Sequence, residues 1–524
     1  MKLLFLIIPI LLQALTFKVA SYNVENLFDM NYSGKEYREY APNSPQGWNK
    51  YTYQKKLSNI SKVIYDLKAD IIGLQEIESK KALLDLKSAI KKRGLNYQYF
   101  AIADKKDSTV KTAILSKYKI IRTKEIRVSY KKSYRNILEA HININNKELI
   151  VFVNHWKSKS APESERIKYA IALEKRLREL KKGTEYIIIG DFNSNYNENI
   201  TFLHKRRLDN TRGKTGINNI LKTFANGKPV QIDDIKKDCR LLYNLWYELP
   251  YTERFSYLYQ GKKNTIDNIL LPCSMFDKKG IEYIKNSFRV FKAPYLFNRS
   301  SINRWEKRFG YGVFTGRGYS DHLPIFAYFT TNLKETKHLF KKVKKKIYQE
   351  IDIKDLYSLK YITKPVLLRN AAVIYKNKSG AVIKKLNDRA IYLFHFNRLL
   401  KKGFLYNIVV KNIKRYKGNL EIYSIISAFR EGKIKNIKRY YLNYQKGMDL
   451  SKPKYQNEVL YKISGIYRNH YLCYDKDKKI RIFFRLKKWY LQNGTFINLK
   501  FARIINYNNE NEIFIERKKD IKFD

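Results

Sequence analysis

Short apolar runs rich in β-branched and aromatic residues recur through the first two thirds of the chain. Residues 17–24 (FKVASYNV), 69–77 (ADIIGLQEI), 111–116 (KTAILS), 149–156 (LIVFVNHW), 185–193 (EYIIIGDFN), 265–271 (TIDNILL) and 323–329 (LPIFAYF) read as strands. Several are apolar on both faces, the pattern of a sheet covered on each side. Residues 53–67 and 163–181 instead place apolar positions at helical spacing with polar faces between them. Strands alternating with helices predict a layered α/β domain over residues 17–333.

Beyond it the pattern changes. A Lys-rich stretch within 334–360 reads as a basic linker, and strand-like segments with little helical signal follow. This part repeats itself: Ile391, Gly403, Tyr416, Glu421 and Ile422 recur as Ile482, Gly494, Tyr507, Glu512 and Ile513, each displaced by the same 91 positions. An internal duplication is the economical account. The two units, residues 361–447 and 455–518, are expected to be OB-like β-barrels, a fold that commonly binds single strands or oligosaccharides. Tyr406, Tyr416 and Tyr423, interleaved with Lys411, Lys414 and Arg415, suit base stacking beside phosphate contact, although tyrosines in barrel cores are equally common.

Charge sharpens this picture. The chain of 524 residues carries a formal charge of +57, which calls for a polyanionic partner. A bias toward Lys, Asn, Ile and Tyr is also what an AT-rich genome produces, so charge alone does not choose the partner. Its distribution says more. Residues 341–524 hold 44 Lys and Arg against 15 Asp and Glu, a density about twice that of the preceding part. Three cysteines, Cys239, Cys273 and Cys473, allow at most one disulfide and argue against a structural zinc site. At the N-terminus Lys2 precedes an apolar run and small residues, the layout of a secretory signal over residues 1–16. Export is therefore expected, to the periplasm or beyond the cell, with no other segment long enough to cross a membrane as a helix.

Polar groups sit where the apolar strands end, the usual place for function in layered α/β folds. SYNVEN supplies Asn23 and Glu25, LQEIE supplies Glu76, VNHWKSK supplies His155, and GDFNSN supplies Asp191 and Asn193. TIDNILL adds Asp267, and YSDHLPI adds Asp321 and His322. Each alone is more often a satisfied structural residue. Together they match what phosphodiester hydrolysis requires: carboxylates for a hard cation, a positioned water, neutral donors for the phosphate, and imidazoles for proton transfer.

The ordered set resembles the endonuclease/exonuclease/phosphatase superfamily, the DNase I-like fold, over about residues 17–330. SYNVENLFD, NHWKSK followed by a helix bearing Arg166, SYLYQGKKNTIDNILL and YSDHLPI are similar to its secreted bacterial nuclease branch. The resemblance implies a four-layered sandwich of two sheets whose loops meet at one rim. It implies Glu76 as principal Mg²⁺ ligand, with Mn²⁺ or Ca²⁺ as substitutes, Glu25 as a second carboxylate, and Asp321 supporting a second metal or a histidine. Asp191 would orient or deprotonate the attacking water, while Asn23, Asn193 and Arg135 would hold the phosphate. His322, oriented by Asp267, would contact the scissile phosphate, and His155 is a general-acid candidate. Where many relatives read DHILL this chain has Asn268, beside an aspartate that is retained. A nuclease acting on DNA, and on RNA as a further substrate, is the expected function. A sphingomyelinase-type lipid phosphodiesterase is the alternative, raised by the apolar residues 288–297, and a nucleic-acid-capturing adhesin is the third.

Overall fold

The computed structural model describes residues 15–105, 108–202, 207–299, 301–305, 312–332, 348–396, 399–485, 491–517 and 520–523. The expected signal segment lies outside them except for residues 15 and 16, as does stretch 334–347 of the expected linker. The chain divides into two compact units, one of residues 1–198, 214–225 and 230–346 and one of 199–213, 226–229 and 347–524, each as far as described.

The first unit is built on two mixed sheets. Strands β1 (Thr16–Leu27), β2 (Ile71–Ile77), β3 (Tyr99–Ile102) and β4 (Lys111–Ser116) belong to one of them. Strands β5 (Ile120–Ile126), β6 (Ile137–Ile144), β7 (Lys147–His155), β8 (Tyr186–Asp191) and β9 (Asp267–Leu271) belong to the other, and β10 (Ile325–Thr330) returns to the first. The first sheet runs β10-β1-β2-β4-β3 and the second β9-β8-β7-β6-β5; two two-residue strands, Glu282–Tyr283 and Arg289–Val290, pair with β10, and one, Tyr243–Asn244, pairs with β9. Alternation along β1 shows why both faces had to be apolar. Phe17 and Val19 join Ile71, Ile114, Val151, Val153, Ile187 and Ile189 in the core between the sheets. Ala20 and Tyr22 point the other way, beneath the helices.

Those helices are α1 (Lys50–Leu67) and α2 (Lys80–Lys92), which cover the first sheet with Ile60, Ile64, Leu83 and Leu86. The Asn49 side chain caps α1 by accepting from Thr52 N, and Ser79 caps α2 by accepting from Ala82 N. On the second sheet α3 (Glu163–Arg178) lays Tyr169 and Leu173 over Phe152 and Ile188. The layers run helix, sheet, sheet, helix, as expected. Gly73 leaves room for the facing sheet: a Cβ there would stand 2.7 Å from Ile189 Cδ1. Cys239 and Cys273 form the single disulfide the composition allowed, and Cys473 is a free thiol.

The second unit contains two closed five-stranded barrels. In the first, β11 (Val366–Lys376), β12 (Gly380–Lys384), β13 (Ala390–Phe394), β14 (Phe404–Tyr416) and β15 (Asn419–Lys433) pair in the order β11-β12-β13-β15-β14. Strand β14 closes the barrel on β11. In the second, β16 (Val459–Arg468), β17 (Tyr471–Cys473), β18 (Lys479–Phe484), β19 (Phe496–Tyr507) and β20 (Glu510–Ile515) repeat the same path and closure. Gly403 and Gly494, equivalent in the repeat, both take left-handed φ (+85° and +95°) just before the fourth strand.

Residues 348–360 of the expected linker are part of this unit. Gln349–Glu350 pairs with β11, and Ile353 and Leu356 are buried in the first barrel's core. Tyr406 is a correction to the expected stacking surface. It faces the barrel interior, 2% exposed, where its hydroxyl accepts from Lys401 N at 3.0 Å, whereas Tyr416 and Tyr423 are exposed.

Candidate active site

Three strand ends of the second sheet line up in register. His155 closes β7 opposite Asp191 at the end of parallel β8, and Asp191 faces Asp267 at the start of antiparallel β9. The first sheet contributes Asn23 from β1 and Glu76 from β2, where bulges interrupt the pairing beyond Asn23 and Gln75. Glu25, Asn26, Glu76 and Asn193 all adopt positive φ. Non-glycine residues are rarely held there, and such clustering of strained backbone marks sites where surrounding structure re-aims side chains.

Asn23 joins the two sheets' contributions. Its Nδ2 donates to Glu76 Oε1 (3.1 Å) and to Asp191 Oδ2 (3.2 Å). The other Glu76 oxygen accepts from Asn26 N at 2.9 Å. His155 Nε2 lies 3.6 Å from Glu76 Oε1 and 3.7 Å from Asp191 Oδ2. His322 Nε2 lies 3.9 Å from Asp191 Oδ2 and 3.8 Å from Asp321 Oδ1. Its Nδ1 contacts Asp267 Oδ2 at 2.8 Å, and that same oxygen accepts from Ser256 Oγ at 2.5 Å. Asn193 is held by its own aspartate: its N donates to Asp191 Oδ1 (2.8 Å), and its Nδ2 to Asp191 Oδ2 and Trp156 O (both 3.1 Å). Arg135 reaches the same carbonyl of Trp156 at 3.3 Å. Thus Asn23, Glu76, His155, Asp191, Asn193, Asp267, Asp321 and His322 come together, with Arg135 at the margin.

Glu25 is placed differently. Its carboxylate is taken up by Arg304, through Nε at 3.0 Å and a shorter Nη2 contact, and by Trp305 N at 3.1 Å. Arg304 Nη2 also lies 3.7 Å from Asp321 Oδ2. Lys56, fully buried on α1, donates to Tyr319 O at 2.9 Å beside this network. Arg304, Lys56 and Ser256 are neighbours that sequence reasoning missed. Only Ser256 had a signal, as the first residue of the SYLYQG string. Arg304 sits in an irregular segment, and Lys56 lies on a helix where a lysine normally reads as a solvated face.

The electrostatics follow from burying many acids together. Burial pushes Asp191 up to about 7, an effect that His322 opposes and Asp267 reinforces. Burial and then Asp321 push Glu25 up to about 7, and burial also raises Asp321. His155 is driven well below the ordinary histidine range by burial and by the charge of Arg135, so it is neutral. Against the desolvation of its own burial, Asp267 and then Asp321 hold His322 well above that range, so it is an imidazolium. Two histidines in one site are thereby given opposite protonation states.

Among the described residues no group of three or more His, Cys, Asp or Glu side chains is arranged to hold a metal by itself. Mg²⁺ does not require one, since it usually binds through one or two carboxylates and keeps several waters. The donor set fits that habit: hard oxygens, an excess of carboxylates, and Glu76 with its side chain 20% exposed at the mouth.

The family model described as the endonuclease/exonuclease/phosphatase family matches residues 18–230 and 225–331. No curated protein matches the sequence. Among solved structures, an endonuclease/exonuclease/phosphatase family protein from Bacteroides thetaiotaomicron is 15% identical with a TM-score of 0.38, over 62% of this chain and 99% of its own. A mannosyl-6-phosphatase from the same organism is 16% identical with a TM-score of 0.37, over 59% and 98%. A humanized D. rerio TDP2 is 16% identical with a TM-score of 0.37, over 60% and 98%. The sequence match spans the two-sheet unit that carries the converging site: the chain belongs to the endonuclease/exonuclease/phosphatase family, whose members are hydrolytic phosphoesterases.

Proposed function

We propose that this protein is an exported, Mg²⁺-dependent nuclease that hydrolyses phosphodiester bonds of DNA, and of RNA as a second substrate. The observation that carries the reading is the convergence of Asn23, His155 and His322 on Asp191 within 3.9 Å, with Glu76 held against Asn23 and His155. Bound through Glu76, a divalent cation would draw charge from the phosphoryl oxygens.

The chain's own residues supply the rest. Asp191, raised to about 7, is poised to accept a proton from the attacking water as the new P–O bond forms. Asn23 and Asn193 fix its carboxylate through their side-chain amides, and each would turn a donor to the phosphate by releasing one of its present acceptors. The His322 imidazolium, held by Asp267, donates to a phosphoryl oxygen and serves in proton transfer as the ester P–O bond breaks. Neutral His155 orients the groups around it, and Arg135 adds a positive charge at the margin.

Three further observations support substrate and location. The C-terminal barrels carry dense positive charge, as a polyanion-binding surface requires. The Cys239–Cys273 disulfide suits an oxidising compartment and hence export after the signal-like residues 1–16. Residues 288–297 do not form an exposed apolar hairpin: Phe288 and Leu296 are buried, and Phe291, Tyr295 and Phe297 pack on the core. That counts against the sphingomyelinase alternative. The test is a Mg²⁺ titration of digestion on circular DNA, linear DNA, RNA and sphingomyelin vesicles. Cation-dependent cleavage of DNA supports the reading, and release of phosphocholine without DNA cleavage overturns it.

A further inference from the structure

In each barrel two aromatic rings stack across the third and fifth strands. Phe394 on β13 stacks with Tyr423 on β15, centroids 6.5 Å apart and planes at 18°. Phe483 on β18 stands directly opposite Phe514 on β20, at 5.6 Å and 1°. Tyr423 and Phe514 are 91 positions apart and Phe394 and Phe483 are 89 apart, and a stacked pair recurs across the same two strands of each barrel. Their sequence neighbours Leu393, Ile422, Ile482 and Ile513 fill the barrel cores, which places the stacked rings on the outer surface. Tyr423 is 43% exposed and Phe483 46% exposed.

A cation accompanies each pair. Lys414 Nζ stands 4.3 Å from the Tyr423 ring. Arg503, on β19, has its guanidinium 5.4 Å from Phe514 and 4.2 Å from Tyr392, a first-barrel residue two positions before Phe394 on the same strand. Arg503 thus touches one ring of the second pair and a ring on the strand that carries Phe394. It is only 6% exposed, and its Nε has no hydrogen-bond partner among the described residues. The acid on this face, Glu421, takes its hydrogen bond from Asn419 (3.4 Å) rather than from Arg503. A buried donor without an acceptor is costly, and a phosphate oxygen is the acceptor that a guanidinium fork fits best.

We propose that the two barrels form one tract for single-stranded nucleic acid, with bases stacking on the Phe394–Tyr423 and Phe483–Phe514 pairs and a backbone phosphate between them on Arg503. This rests on the reading of the substrate as nucleic acid, and it adds where and in what form the polymer is held. The exposed rings of Tyr423 and Phe483 offer their surface to unstacked bases, whose faces a duplex conceals. A neutral oligosaccharide would also stack on the rings, but it would leave the Arg503 donor and the surplus of Lys and Arg unused.

The test uses the full chain in EDTA, with a fluorescein-labelled oligothymidylate of about fifteen residues that is recovered intact. A matching duplex and chitohexaose serve as competitors. Tyr423→Ala and Phe483→Ala should each weaken oligothymidylate binding by about 5- to 100-fold. Arg503→Gln should lower the salt slope by about 0.7. Hydrolysis of bis(p-nitrophenyl) phosphate by these variants should match the parent protein. Wild-type affinity in both aromatic variants would overturn the proposal, as would displacement of the oligothymidylate by chitohexaose but not by unlabelled single strand. The outcomes separate the two readings. Binding without DNA cleavage by the parent protein would sink the nuclease assignment and leave the tract standing, and cleavage with unaffected variants would do the reverse.

Discussion

His322 and Asp267, 55 residues apart in sequence, meet through Nδ1 and Oδ2 at 2.8 Å, and both are almost fully buried. The contact fixes the ring's tautomer and orientation, leaves Nε2 directed at Asp191, and stabilises the imidazolium. Asp267→Asn keeps the shape but removes the charge. Its kcat for phosphodiester cleavage should fall by about 10²–10⁴, and the basic limb of the pH–rate profile should move to lower pH because His322 loses the carboxylate that raises it. A small change in kcat with an unmoved limb would show that this pair is structural.

Glu76 is expected to be the principal cation ligand. Glu76→Gln keeps the side chain's shape but loses the charge and one of its two acceptors, and calorimetric Mn²⁺ affinity should drop beyond the roughly 10- to 100-fold typical of losing an outer-shell partner. Glu25→Gln should disturb Arg304 and Trp305 far more than cation affinity, since its carboxylate is already engaged by them. Equal loss in both variants would make Glu25 a ligand after all.

Much of this was legible in the sequence. Strand alternation fixed which β1 residues face the sheet core, and the polar strand-end residues proved to be neighbours because parallel and antiparallel register brings His155, Asp191 and Asp267 side by side. The 91-residue repeat announced two barrels with one strand path. What stayed hidden depends on long-range geometry. Nothing periodic relates Glu25 to Arg304, 279 residues away. Tyr406 and Tyr423 look alike in sequence, yet bulges in the β14–β15 pairing shift the alternation that decides which side chain faces inward. The stacked pairs require knowing that the third and fifth strands are neighbours.

Gly73, lacking a side chain, lets Ile189 and Val153 of the facing sheet pack close. Its substitution by Ala puts a methyl group 2.7 Å from Ile189 Cδ1 and 3.1 Å from both Val153 methyl groups, so Gly73→Ala should cost about 1–3 kcal/mol in denaturant unfolding. Ile189→Val removes the closest atom. The double variant should therefore be more stable than the sum of the single effects implies, and strict additivity would place the strain elsewhere.

Glu248 lies away from the site, buried, accepting from Tyr283 OH at 2.5 Å. Burial pushes it up to about 7, with the Tyr283 hydrogen bond opposing. Its folded-state value thus lies above the unfolded one of about 4.3, and between them the folded state binds the extra proton. Stability from this group is present below about pH 4 and is lost as pH rises toward 7, by about 4 kcal/mol. Glu248→Gln should flatten that part of the stability–pH curve, and an unchanged slope would contradict the assignment.

Asp191 is the residue on which Asn23, His155, Asn193 and His322 all converge. The direct measurement is single-turnover cleavage of a DNA substrate by Asp191→Asn at saturating protein, alongside DNA affinity measured separately. The account predicts a rate lower by about 10³ or more with affinity within about twofold, since binding is spread over many Lys and Arg. Cleavage at the parent rate would contradict it.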